Sequence, residues 1–298
     1  MLKESLILDW FVFLAPAIFV ICLAHAYKNN KKDLNLLIAG TLFGYFLEFS
    51  SIKLFDVYFY NPHWPLNPWQ LPLTVSVSWA NFIYGAKLLV NATDLQDKYK
   101  PLAMAIFATT LDWGMDPIAV RAKMWTWTIE SNSHGLNQQF YGIPWANFFG
   151  WITAVLAFTY SYDYCEKKQF PENWKVVIIT FVGGVVGAGI VNGMYNFIFL
   201  QGKPVDSGGR WVTIQAIVVL GIYFAGLAFL ILQKTVFTSP RGWIPTITFL
   251  GNMLSYFAIG ILNGYFSDNL FMALIFVISL VIQCLYTLPF LKFRENSS

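Results

Sequence analysis

The chain has 298 residues; 57% are hydrophobic, only 12% are charged, and the formal net charge is +3 at pH 7. Soluble globular chains carry about twice that charged fraction, and a disordered chain, a collagen-like repeat and a small disulfide scaffold are all excluded. The few Lys and Arg residues form no patch, which argues against a nucleic-acid partner, and an all-α, polytopic membrane protein surrounded by lipid remains.

A spanning helix needs about 20 mostly apolar residues. The sequence predicts nine spans, or eight if one run fails: 5–27, 34–54, 72–92, 101–119, 143–165, 174–200, 210–233, 243–264 and 268–290. Long unbroken runs favour a helical bundle over a barrel of short alternating strands. The first run ends beside Ala24-His25-Ala26, which looks like a signal-peptidase site. Asp9 inside the run, and Lys28, Lys31 and Lys32 after it, point instead to a retained spanning helix. The second span carries Glu48, and the third carries Trp79 and Lys87. The fourth carries Asp112 and Asp116, four apart and so on one helix face. Pro117 predicts a kink or an end at Asp116. The sixth holds two small-xxx-small pairs, Gly183/Gly187 and Gly189/Gly193, expected to admit a neighbouring helix, with Asn192 and Asn196 bonding across that contact. Composition is even throughout, so residues 1–298 read as one integral membrane domain, with the chemistry-bearing part at 44–151.

Twelve of the 19 Lys and Arg residues fall on one side of this arrangement and six on the other. The bias predicts a multi-pass protein of the cell membrane, with its N-terminus outside and its C-terminus in the cytoplasm. Neither the three cysteines (Cys22, Cys165, Cys284) nor the three histidines (His25, His63, His134) show the spacing of a disulfide framework or a metal site.

Charged groups inside a span are costly and usually face the bundle interior. Glu48, Asp112 and Asp116 reach similar depth, near one shoulder of the bilayer. The bland reading makes each a helix–helix hydrogen-bond partner, or a partner of Lys87 or Arg121. The loops on that side argue for more. Residues 55–71 and 120–142 bring Tyr58, Tyr60, Trp125, Trp127 and Tyr141 around the carboxyls, whereas 200–209 carries no aromatic residue. An interfacial aromatic belt accounts for part of this, but not for the crowding beside the acids.

At these residues the chain resembles a known family. Asp112-Trp113-Gly114-Met115-Asp116-Pro117 is similar to the D-x-x-x-D-P motif of the CruF-type carotenoid biosynthesis proteins, membrane-embedded carotenoid hydratases that include the bisanhydrobacterioruberin hydratase type. Tyr141-Gly142-Ile143-Pro144, with Asn147-Phe148 and Gly150-Trp151, looks like the family's Y-G-I-P-x-x-N-F-x-G-W stretch, and Trp125-x-Trp127 its W-x-W. Glu48, Tyr58, Tyr60 and Trp79 fall in the family's order. The chain departs after Glu48, where Lys53-Leu54-Phe55-Asp56-Val57 replaces a Gly-rich approach to the Tyr pair, which bears on substrate choice. The resemblance implies addition of water across the terminal double bond of an acyclic carotenoid end, giving a tertiary alcohol, with no redox cofactor or metal. The partners it implies are a lipophilic carotenoid, the lipid bilayer and other enzymes of the same pathway.

Hydrating a trisubstituted alkene requires a proton donor, stabilisation of a tertiary cation, and one water. Burial disfavours the charged form of a carboxyl, and two carboxyls on one face disfavour double ionisation, so one can hold a proton. Asp112, the deeper of the pair, is the expected donor, with Asp116 or Glu48 activating water. Trp113, Trp125, Trp127, Tyr58, Tyr60 and Tyr141 are the expected aromatic wall, with Trp79 at the substrate and Asn147 holding the water. Two alternatives stay open: an acid-initiated end-group cyclase, in which an internal double bond captures the cation, and a proton-coupled transporter using the carboxyls as a relay.

Overall fold

A computed structural model describes residues 4–128, 140–170, 172–195, 197–198, 210–239 and 242–288. A helix forms on each predicted run: α1 (Glu4–Asn29), α2 (Asp33–Phe49), α3 (Leu73–Asn91), α4 (Lys100–Arg121), α5 (Trp145–Lys168), α6 (Asn173–Tyr195), α7 (Arg210–Leu232), α8 (Gly251–Leu262) and, after the short α9 (Tyr265–Asp268), α10 (Leu270–Thr287). The protein is an all-α membrane bundle. Among the described residues, six helices are long and apolar enough to cross a membrane: α1, α2 with its continuation to Leu54, α3, α6, α7 from Val212, and α10. α4 and α5 are long enough, at 22 and 24 residues, but more polar. Those two helices carry Asp112, Asp116 and Asn147.

α4 is the axis of the bundle. It packs against α3, α5, α7, α8 and α10, and every residue from Met104 to Ala119 is buried. The enclosure takes in its polar residues too, Thr109, Thr110, Asp112 and Asp116. α1, α6, α7 and α10 are peripheral and turn large apolar side chains outward, among them Phe13, Ile190, Phe224 and Leu274. In water such a surface would aggregate; in lipid it is a solvated face.

The structure bears on four sequence expectations. α4 does not end at Asp116 but continues through Pro117 to Arg121. Proline removes one backbone N–H and crowds the preceding turn, and the burial of α4 on all sides holds the helix through that defect. Gly183 and Gly187 do meet α5, where an added Cβ would lie 2.5 Å from Ser161 Oγ and 3.0 Å from Ala157 Cβ. Gly189 and Gly193 meet nothing within 4 Å, so that pair is not a helix contact. Asn192 donates to Thr153 Oγ1 on α5 at 2.9 Å, while Asn196, His134 and 200–209 lie outside the described residues. Finally, Tyr58–Tyr60 and Trp125–Trp127 take up regular structure within the aromatic loops. They pair as a two-stranded antiparallel ribbon, β1 (Tyr58–Tyr60) with β2 (Trp125–Trp127), in the register Tyr58↔Trp127 and Tyr60↔Trp125.

Candidate functional site

Glu48 sits on the last turn of α2, just before a π-helical turn at Ser50–Leu54; such widened turns recur at functional sites. One turn earlier, Gly44 touches α3, and a Cβ there would lie 2.7 Å from Trp79 Cβ. The missing side chain lets Trp79 lie against α2, so that its indole N–H donates to Glu48 Oε1 at 2.9 Å. Residues two apart on a strand share a face, so Tyr58 and Tyr60 both point inward while Phe59 is exposed. Tyr60 donates its hydroxyl to Glu48 Oε2 at 2.6 Å, and Tyr58 donates to the same oxygen. Three donors converge on Glu48. Trp127 and Trp125 cover the two tyrosines across the ribbon, with ring centroids 4.7 and 6.0 Å apart.

The second carboxyl group is built by α4 and α5. Phe140 and Ile143 exchange both backbone hydrogen bonds at 2.9 Å around Tyr141 (φ 53°) and Gly142 (φ 84°). Two consecutive positive φ values make a primed turn, which a glycine adopts freely. The turn delivers Pro144 to the start of α5 and sets Asn147 in its first turn. Asn147 Nδ2 then donates to Asp112 Oδ2 at 2.9 Å and to Asp116 Oδ2 at 2.8 Å.

Both groups border one cavity of about 450 Å³, lined by Glu48, Tyr58, Tyr60, Trp79, Asp116, Trp125, Trp127 and Asn147 among others. Three expected site residues stand off from it. Asp112 is fully buried and is not part of the lining; its Oδ1 has no partner among the described residues. Trp113 is turned away from the cavity and stacks on Phe148, with centroids 3.8 Å apart and planes 8° from parallel. The next residue along a helix points about 100° away, so Trp113 cannot share the face of Asp112 and Asp116. Tyr141 donates instead to Asn269 Oδ1 at 3.2 Å, the side chain that caps α10.

Sequence reasoning missed other lining residues. Trp151 stacks on Trp79 at 4.4 Å, and its place in the Gly-Trp pair of the motif was the available signal. Asn252 and Tyr256 of α8 also line the cavity; both sit in an apolar run with no motif to mark them. Trp127 is nine-tenths buried, and its indole N–H is without a partner among the described residues. Among the described residues no group of three or more His, Cys, Asp or Glu is placed to hold a metal.

Lys87 belongs to a separate cluster. Its Nζ contacts Asp33 Oδ1 at 2.6 Å and Glu166 Oε1 at 3.1 Å, and Tyr162 donates to Asp33 Oδ1 at 3.2 Å. Asp33 opens α2, and Glu48 all but closes it, so this cluster lies toward the opposite end of the bundle. Arg121 pairs with Asp268 at 3.3 Å. Neither cation neutralises Glu48, Asp112 or Asp116.

No curated protein and no solved structure matches the chain. A family model described as carotenoid biosynthesis protein matches residues 8–205, which include both carboxyl groups and the aromatic ribbon. The chain belongs to the carotenoid biosynthesis protein family.

Proposed function

We propose that the protein is a carotenoid hydratase that adds water to the terminal double bond of an acyclic end group. The observation that carries this reading is the lining of the cavity: Asp116 and Glu48 face the same aromatic-walled space with different hydrogen-bond surroundings. Two adjacent buried carboxyls cannot both ionise cheaply, so the Asp112/Asp116 pair holds a proton. Asp116 is the donor in this reading, because it reaches the cavity and Asp112 does not; Asp112, joined to it through Asn147, is a positioning residue.

Asp116 gives its proton to the less substituted carbon of the alkene, and the electron pair of the double bond forms the new C–H bond. The tertiary cation left behind faces the rings of Trp125, Trp127 and Tyr58, each such contact being worth about 2 kcal/mol when desolvated. Water supplies the C–O bond and loses a proton to Glu48, whose three donors suit it to hold negative charge near the cation. Return of that proton to the aspartate pair closes the cycle. The reaction is redox-neutral, and proton and water balance it without a cofactor.

The test is expression in a host that accumulates an acyclic carotenoid, followed by mass analysis of the pigments. The expected product gains one water for each reacted end. A product of unchanged mass but altered chromophore identifies a cyclase, and an untouched pigment pool rejects both.

A further inference from the structure

We propose that the polyene enters the cavity sideways from the lipid, through a gap between α2 and α6 with Gly189 at its sill, one end group at a time. This inference rests on the carotenoid reading above.

The two helices run parallel, since Asn35 near the start of α2 donates to Asn173 Oδ1 at the start of α6 at 3.1 Å. They stay packed through their middles. A Cβ on Gly184 would lie 3.1 Å from Phe43, and the Phe46 and Phe181 rings stand 5.9 Å apart. Further along, Gly189 is exposed and a Cβ on it would meet nothing within 4 Å, yet it lines the cavity, as do Ala188 and Asn192 of α6 and Ser51 and Leu54 of the turn that continues α2. A shallow apolar groove lined by Gly189, Gly193 and Met194 continues outward along α6. The side formed by α1 and α8 is closed, with the Phe11 and Tyr256 rings 4.8 Å apart and Trp10 Nε1 donating to Ser255 Oγ at 3.0 Å.

Size sets the rest. The cavity of about 450 Å³ is at the lower end of small-molecule sites, which run from about 300 to 1,000 Å³. A polyene long enough to cross a hydrocarbon core of about 30 Å cannot be enclosed in it. One end reaches Asp116 and the shaft stays in the gap, so the second end reacts only after release and re-entry. Trp127, whose buried indole N–H has no partner among the described residues, lines the same cavity.

The experiment grades the side chain at the sill. Gly189→Ala, Gly189→Leu and Gly189→Trp are compared with Gly221→Trp, which adds the same bulk at an exposed position of α7 with nothing within 4 Å. All are purified from carotenoid-accumulating membranes, and polyene retained per protein is measured separately from alcohol formed. The expected series has Ala equal to the parent, Leu intermediate, and Trp reduced about tenfold or more in both readouts, with Gly221→Trp unaffected and all variants equally extractable. In the parent, the singly hydrated product accumulates before the doubly hydrated one. Retention and product at parental levels in Gly189→Trp overturn the lateral gap, as does a parent protein that retains no polyene. Size-graded retention in a protein that forms no alcohol keeps the gap and rejects the hydratase reading alone.

Discussion

Asn147 places one amide nitrogen between two carboxyls, 2.9 Å from Asp112 and 2.8 Å from Asp116. The arrangement distinguishes the two carboxyls in the opposite sense to the depth argument that favoured Asp112, since of the pair only Asp116 lines the cavity. Asn keeps the shape of Asp and still hydrogen-bonds, but has no proton to give. Asp116→Asn is expected to lower alcohol per membrane-extracted protein by about a hundred- to ten-thousand-fold, the usual worth of general acid catalysis. Asp112→Asn is expected to lower it less, because Asp112 is not part of the cavity lining. Product near the parental level in the Asp112→Asn/Asp116→Asn double variant would remove the pair from the mechanism. Trp127 tests the wall: Trp127→Phe keeps a π face and is expected to retain more activity than Trp127→Leu, and equal activity of the two variants reduces this residue to packing.

At the scale of elements, the contact between α2 and α3 sets the geometry around Glu48. Gly40 and Gly44 form a small-xxx-small pair against Ala80 and Trp79. The Gly189/Gly193 pair has the same spacing and meets nothing within 4 Å, so the spacing alone does not say which pair packs. A side chain at position 44 must push Trp79 away, and overpacking of this kind costs about 1–3 kcal/mol. Gly44→Ala is therefore expected to weaken the indole contact to Glu48 and lower product per folded protein. Trp79→Phe removes the same N–H directly. The two changes are expected to be non-additive in a double-variant cycle, and strict additivity would mean that Gly44 acts elsewhere. The ribbon was also partly legible. Tyr58-x-Tyr60 and Trp125-x-Trp127 both repeat with the period of a strand, but their pairing joins loops separated by two helices, which no local pattern encodes.

On the scale of the whole molecule, polar groups occupy both ends of the bundle. Lys87 lies eight residues beyond Trp79 on α3, about 12 Å along the axis at 1.5 Å per residue. Its side chain is 9% exposed and that of Asp33 only 5%. Removing one partner of a buried ion pair costs about 3–5 kcal/mol, because the other charge is left uncompensated. Lys87→Met is expected to reduce the amount of inserted protein while leaving product per extracted protein close to that of the parent. Adding Asp33→Asn is expected to restore part of the yield. A selective loss of activity at unchanged yield would instead connect Lys87 to the chemistry.

The sequence alone determined that this is a helical membrane protein and where its helices run. Lipid offers the backbone no hydrogen-bond partners, so each crossing must satisfy its own and appears as a long apolar run. It also determined that Asp112 and Asp116 share a face, because helix periodicity is local. Only the tertiary structure decided which carboxyl meets the cavity, that Glu48 stands across from it, that Trp113 turns to Phe148, and which glycines of α6 are covered. The reason lies in α4 itself. A helix buried on every side has no exposed face to orient it, so the stripe of Asp112 and Asp116 does not say which neighbour it meets. Its working face is set by the neighbours that leave a space, and those neighbours are brought together from distant parts of the chain.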